Sequence, residues 1–195
     1  MIRQSKQRDT LIWAAAKLFR RQGYSGTGLR DILASSGAAR GSLYHYFPGG
    51  KEEIGVAAVA AAGGLVTETF AELARQADSP ADFLRRYTGM LVRWLETSNF
   101  RDGCPITTTL LETTPGSVAL ARAGQSVFAD WRVVMEDLLR QHGWRADRVA
   151  PTATTMIAGL EGALLLARVE ANAQPIHDMT QALCEILQAG RSESL

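Results

Sequence analysis

Two short stretches of helical spacing around a single break, in TGLRDILASSGAARGSLYHYFPGGK (27–51), constrain this chain more than any other feature. Leu29, Ile32 and Leu33 share one face of a first short helix, for which Thr27 offers an N-cap hydroxyl. Ser36-Gly37 breaks that helix, and a second is expected over about 39–47, with Leu43 and Phe47 turned to a core. Arg40, Ser42, Tyr44, His45 and Tyr46 fill the rest of its circumference before Pro48-Gly49-Gly50 ends it. Any one polar side chain on a solvent-facing helix is ordinary. Solvation alone explains less well why two tyrosines and a histidine cluster on so short an arc. The arrangement matches a helix-turn-helix whose second helix enters the DNA major groove.

The residues ahead of it supply a third helix. Leu11, Ala14, Ala15, Leu18 and Phe19 form an apolar stripe at helical spacing, so a helix is expected over about 5–22, closed by Gly23-Tyr24-Ser25-Gly26. Three helices can then bury one small core around Leu11, Leu18, Phe19, Ile32, Leu43 and Phe47.

On AAAKLFRRQGYSGTGLRDILASSG, then RGSLYHYF, then Lys51, the sequence resembles the tetracycline-repressor (TetR) family of bacterial regulators, with a finer likeness to its multidrug- and flavonoid-responsive subgroup. The likeness covers roughly the first 55 residues; the remainder matches only in length and helical character. Two departures stand out. Ala39 replaces a usual capping Ser or Thr, a loss of roughly 0.5–2 kcal/mol, and Pro48-Gly49-Gly50 lengthens the usual connection. The resemblance implies an all-α fold of about nine helices. A helix-turn-helix DNA-binding domain (1–50) would precede a larger helical ligand-binding and dimerisation domain (51–195). It implies a ligand-responsive repressor that binds palindromic double-stranded operator DNA as a homodimer and is released by a small hydrophobic or aromatic effector. Occupancy of the effector pocket would reorient the DNA modules.

Carried over position by position, the resemblance implies a DNA-contacting set. Arg40 can hold guanine O6 and N7 in one bidentate grip, and Gly41 lets the backbone approach the duplex. Ser42 and His45 reach base edges, while Tyr44 and Tyr46 hold phosphates or touch a thymine methyl. Thr27, Gly28 and Lys51 sit at helix N-termini, where phosphate binds. Charge agrees once the chain is divided: residues 1–60 hold nine Lys/Arg against four Asp/Glu, and the remainder twelve against sixteen. A basic module on an acidic body suits a DNA reader with a second, non-DNA domain.

Beyond Lys51 the chain reads as successive helices. A long Ala-rich one spans about 51–77 with Gly63-Gly64 inside it, explained by close packing or, more sharply, by a hinge. Ser79-Pro80-Ala81-Asp82 is a strong helix start, and a loop over 99–103 precedes a short helix over about 105–113. Ser117 opens another long helix, and two more follow over about 150–171 and 176–189. Met90, Trp94, Phe100, Phe128, Trp131, Met135 and Met156 suit the walls of a pocket for a flat hydrophobic molecule, with Thr107, Thr108 and Glu112 as polar anchors. Plain core is the competing reading for each. Met156, Leu160, Ala163, Leu164 and Ala167, with Met179, Leu183, Ile186 and Leu187, form stripes that pack within the domain or, as the resemblance implies, across a dimer axis.

Other classes fare worse. His45, His142 and His177 are the only histidines and none lies in a metal or triad pattern, so neither cofactor nor metal is expected. Gly50-Lys51 is followed by Glu52 where a phosphate loop needs Ser or Thr, and nucleophile-elbow and dinucleotide fingerprints are missing. An enzyme is therefore not expected. Cys104 and Cys184 are expected as reduced thiols. The polar, charged residues 1–10 do not read as a signal peptide, and the apolar run 157–167 is shorter than the ~20 residues of a membrane span. A cytoplasmic protein without membrane partner is expected. The alternative is a helical docking module using a helix-turn-helix-like surface, against which Arg40, Tyr44, His45 and Tyr46 argue, since docking helices usually expose an apolar stripe.

Overall fold

Nine helices and no strand form the regular structure among the described residues of the computed structural model, which cover the backbone of 2–192 and the side chains of 6–39 and 41–190. They are α1 (Ile2–Gln22), α2 (Leu29–Ser36), α3 (Arg40–Tyr46), α4 (Gly50–Gln76), α5 (Pro80–Thr97), α6 (Pro105–Thr113), α7 (Val118–Gln141), α8 (Ala146–Glu170) and α9 (Gln174–Ser192). Local chemistry sets most of the boundaries. At the start of α5 the Ser79 hydroxyl accepts from the Asp82 N–H at 3.1 Å, with Pro80 in the first turn. Ser117 caps α7 in the same way, accepting from the Leu120 N–H at 3.1 Å.

Several boundaries differ from the sequence reading, among them the start of α1 at Ile2 and the end of α9 at Ser192. The N-cap of α2 is Gly28, not Thr27. Asp31 provides the capping acceptor, taking the Gly28 N–H at 2.8 Å, while the buried Thr27 hydroxyl donates to the Gly23 carbonyl at 2.7 Å. Helix α8 begins at Ala146, several residues early, although Pro151 removes one backbone donor inside it. Asp147 favours that extra turn from the positive end of the helix. Helix α9 begins at Gln174, whose N–H is taken by the Asn172 side chain at 2.9 Å, so Pro175 falls inside the first turn rather than before it.

The chain divides into two compact units: Met1–Leu65 with Cys104–Val127, and Val66–Gly103 with Phe128–Leu195. In the first, Leu11, Ala15, Phe19, Ile32, Leu43, Phe47, Ile54 and Ala58 form one buried cluster, and α1 packs against α2, α3 and α6. A Cβ on Gly63 would run into the Val127 side chain, so close packing accounts for that glycine; Gly64 faces open space and close packing does not account for it. In the second unit α9 packs against α5 and α8. There the Phe70 ring meets Phe83, Tyr87 and Trp131 edge-on, with centroids 5.6, 4.6 and 5.6 Å away. Cys104 and Cys184 are not joined in a disulfide.

A longer window than 157–167 changes one expectation. Helices α4 and α8 are each long and apolar enough to cross a membrane by length and composition. Their apolar side chains include Ile54, Ala58 and Val59 on α4 and Met156, Leu160 and Leu164 on α8, all buried in the protein, as in a core helix.

Candidate nucleic-acid interface

Helix α3 is held from behind. Gly37 adopts the left-handed conformation (φ 66°) and its N–H bonds the Leu33 carbonyl at 3.1 Å, ending α2 and turning the chain. Ala39 precedes α3 without a side-chain cap, so the helix depends on packing. Leu43 and Phe47 supply it, both fully buried, and the Arg8 guanidinium of α1 lies 5.3 Å from the Phe47 ring centroid.

The remaining α3 residues divide in two. Tyr44 is 60% exposed, His45 is exposed, and Gly41 is exposed with open space where a Cβ would stand. Ser42 is half-buried. Tyr46 is half-buried too: its ring packs on the core cluster and meets His45 edge-on at 4.9 Å, with its hydroxyl 3.5 Å from Gln7 Oε1 of α1. Tyr46 therefore helps to seat α3, whereas Gly41, Tyr44 and His45 form its open face. Arg40 opens the helix, and its side chain lies outside the described ones.

The three candidate phosphate contacts fare differently. Thr27 is 0% exposed and its hydroxyl is engaged by Gly23, which leaves it no open donor. Gly28 is exposed, but its N–H already meets Asp31. Lys51 is half-buried, its ammonium 4.5 Å from the Tyr24 ring centroid and 3.4 Å from the Ser25 carbonyl, to which it donates. Burial pulls the Lys51 pKa below the ordinary lysine value, with Glu112 and Asp31 pulling the other way.

Glu112 was expected in an effector pocket, yet its carboxylate accepts the Ser25 N–H at 2.6 Å. Partial burial would raise its pKa, but hydrogen bonds from Ser25 and Tyr24 and the nearby Lys51 charge outweigh that and hold it below the ordinary glutamate value. Nothing in the sequence pattern joins residues 87 positions apart, so this contact was invisible at that level.

The other pocket candidates divide between the two units. Thr107 and Thr108 are half-buried and belong, with Glu112, to the first compact unit; the rest belong to the second. Within the second, Trp131, Met135 and Met156 are buried core, Trp131 lying against Phe70 and 5.3 Å from Phe128. Trp94, Phe100 and Phe128 are half-buried and Met90 is exposed. Of the dimer candidates, Met156, Leu160, Ala163, Leu164, Ala167, Leu183 and Leu187 are buried inside the protomer, Met179 is half-buried, and Ile186 is exposed. The sequence stripe had selected the inward face of α8. On its outward face Leu165, Leu166 and Val169 are 56%, 52% and 76% exposed, beside an open Gly162.

Known proteins match both units. Residues 11–58 match the family described as bacterial regulatory proteins, tetR family, and residues 80–182 match the C-terminal domain of LmrA/YxaF-like transcriptional regulators. The HTH-type transcriptional regulator LmrA of Bacillus subtilis is 31% identical, over 93% of this chain and 96% of its own. The HTH-type transcriptional repressor DhaR of a Mycobacterium species is 25% identical, over 92% and 91%. Among solved structures, a regulatory protein TetR from Rhodobacter sphaeroides superposes with a TM-score of 0.78 at 28% identity, covering 91% of this chain and 96% of the other. Likeness that extends through the DNA-reading helices and the helices beyond them places this chain in the TetR family of bacterial transcriptional regulators, which are not enzymes.

Proposed function

We propose that the protein is a ligand-responsive repressor that binds a palindromic operator as a homodimer and releases it on taking up a small hydrophobic or aromatic molecule. The observation that carries this reading is the two-sided build of α3. Leu43 and Phe47 anchor it while Gly41, Tyr44 and His45 stand open. Gly41 permits close backbone approach to the duplex, Arg40 reads guanine, and Tyr44 and His45 contact the groove wall and base edges. Lys51 supplies phosphate attraction from α4.

One α3 reads too few bases for specificity, and a two-fold dimer doubles the site. The outward face of α8 suits that role, because Leu165, Leu166 and Val169 would otherwise stay in water. Ile186 of α9 is a further exposed apolar side chain. For the effector, Trp94, Phe100 and Phe128 have the partial exposure that a ligand can complete, whereas Trp131, Met135 and Met156 are already enclosed. The repressor role is supported by likeness to DhaR.

Fluorescence anisotropy of the full chain on its own upstream DNA and on a scrambled duplex, titrated with salt, tests the reading. Selective binding with a steep salt dependence is expected. Equal, weak binding to both, persisting over a panel of neighbouring promoter fragments, would count against it.

A further inference from the structure

The turn between α1 and α2 is gripped on both sides of one residue. Its own bonds run from the Thr27 N–H to the Tyr24 carbonyl at 3.1 Å, from the Thr27 hydroxyl to the Gly23 carbonyl at 2.7 Å, and from the Gln22 side chain to the Gly26 carbonyl at 3.0 Å. Ser25, at its tip, is exposed. Yet the Ser25 N–H is taken by Glu112 of α6 at 2.6 Å, and the Ser25 carbonyl faces the Lys51 ammonium of α4 at 3.4 Å. All three residues belong to the first compact unit, in which α6 packs against α1.

The positive φ at Gly23 (+81°) favours glycine, and the Glu112 carboxylate lies against the same residue. A Cβ there would collide with that carboxylate, so the turn backbone lies directly against this side chain. Glu112 is exposed on the last turn of a nine-residue helix, yet its carboxylate is turned to this backbone. Lys51, an expected phosphate contact, is drawn toward the same turn.

We infer that Glu112 is a positioning residue for DNA binding: from α6 its carboxylate fixes the Ser25 turn, and through that turn it sets the placement of α2, α3 and the Lys51 ammonium. It touches no DNA itself. Hydrogen bonds to a charged acceptor are stronger than neutral ones, which suits a single side chain to this task. The carboxylate's reach matters more than its charge, because the bond to the Ser25 N–H is what locates the turn. Loss of the bond lets the turn sample other arrangements, and only part of the population then presents α3 and Lys51 together.

The inference rests on the operator-binding reading, and the two can fail separately. Glu112→Ala, Glu112→Asp and Glu112→Gln in the full chain separate reach from charge. Each would be titrated against upstream DNA, at a temperature below the onset of unfolding of every variant so that melting contributes nothing. Ala and Asp, which cannot reach Ser25, are expected to bind about fivefold more weakly than wild type, and Gln, whose amide oxygen can, within about twofold. Hydrogen exchange at the Ser25 amide should quicken in Ala and Asp and stay slow in Gln. Wild-type affinity in Ala or Asp, or a Gln variant as weak as Asp, would overturn the inference. A wild type that fails to prefer upstream DNA would instead overturn the operator reading.

Discussion

Helices α3 and α8 solve opposite problems with the same residue classes. Helix α3 (Arg40–Tyr46) is seven residues long: Leu43 and the capping Phe47 are buried, Ser42 and Tyr46 are half-buried, and Gly41, Tyr44 and His45 are exposed. Helix α8 (Ala146–Glu170) carries apolar side chains on both sides, Met156, Leu160 and Leu164 facing in and Leu165, Leu166 and Val169 facing out. A short helix with one apolar edge has a single way to pack. A helix with apolar side chains on two faces is covered by its own protomer on one and, in the proposed dimer, by a second copy on the other.

The largest effects should come from breaking the inner face of each helix. Phe47→Ala is expected to destabilise the protein by about 3–5 kcal/mol and Leu164→Ala by about 2–5 kcal/mol in denaturant unfolding, since both empty a packed site. Tyr44→Ala should stay within about 0.5 kcal/mol of wild type in the same experiment while weakening DNA binding. The outer face of α8 has its own signature. Leu165→Asp with Leu166→Asp should leave a folded protomer and shift sedimentation from dimer to monomer. A double variant that stays dimeric would place the interface elsewhere.

Smaller effects sharpen the open face of α3. Arg40→Ala should erode discrimination between matched and mismatched operators by about 1–3 kcal/mol. Lys51→Ala should weaken all DNA alike and lower the salt slope by about one. Identical losses from both variants on every sequence would mean that neither assignment holds. Smallest is a pH effect. The Glu112 pKa is held below the ordinary glutamate value, so the charge-dependent part of its contribution is complete above that range and lost as pH falls through the folded-state value. Lys51, Asp31 near Lys51, and Glu52, whose charge acts on Tyr24, are charged groups beside this turn. The difference in thermal stability between wild type and Glu112→Ala should therefore be present at neutral pH and fade in acid. A constant difference down to acid would mean that reach alone, without charge, makes the contribution of Glu112.

The same contrast explains what was legible in the sequence. Leu11, Phe19, Ile32, Leu43 and Phe47 announce a three-helix core because each recurs at helical spacing beside polar neighbours. Ser79, Pro80 and Ser117 mark helix starts because capping is a local act of a few adjacent atoms. Thr27 misled because the neighbouring Gly28 and Asp31 made the cap instead and left the hydroxyl to an inward bond. The two faces of α8 could not be ranked, since Leu164 and Leu165 are chemically alike and only the fold decides which is buried. Glu112 was beyond reach for a different reason. Its partner is a backbone N–H 87 residues away, and a backbone N–H has no letter in the sequence.

Selection of bound DNA from a random-sequence pool by the purified full chain tests the central claim most directly. Two α3 helices related by a two-fold axis should enrich a palindrome whose half-sites lie about one helical turn apart. Enrichment of a single unpaired half-site, or of no sequence at all, would contradict it.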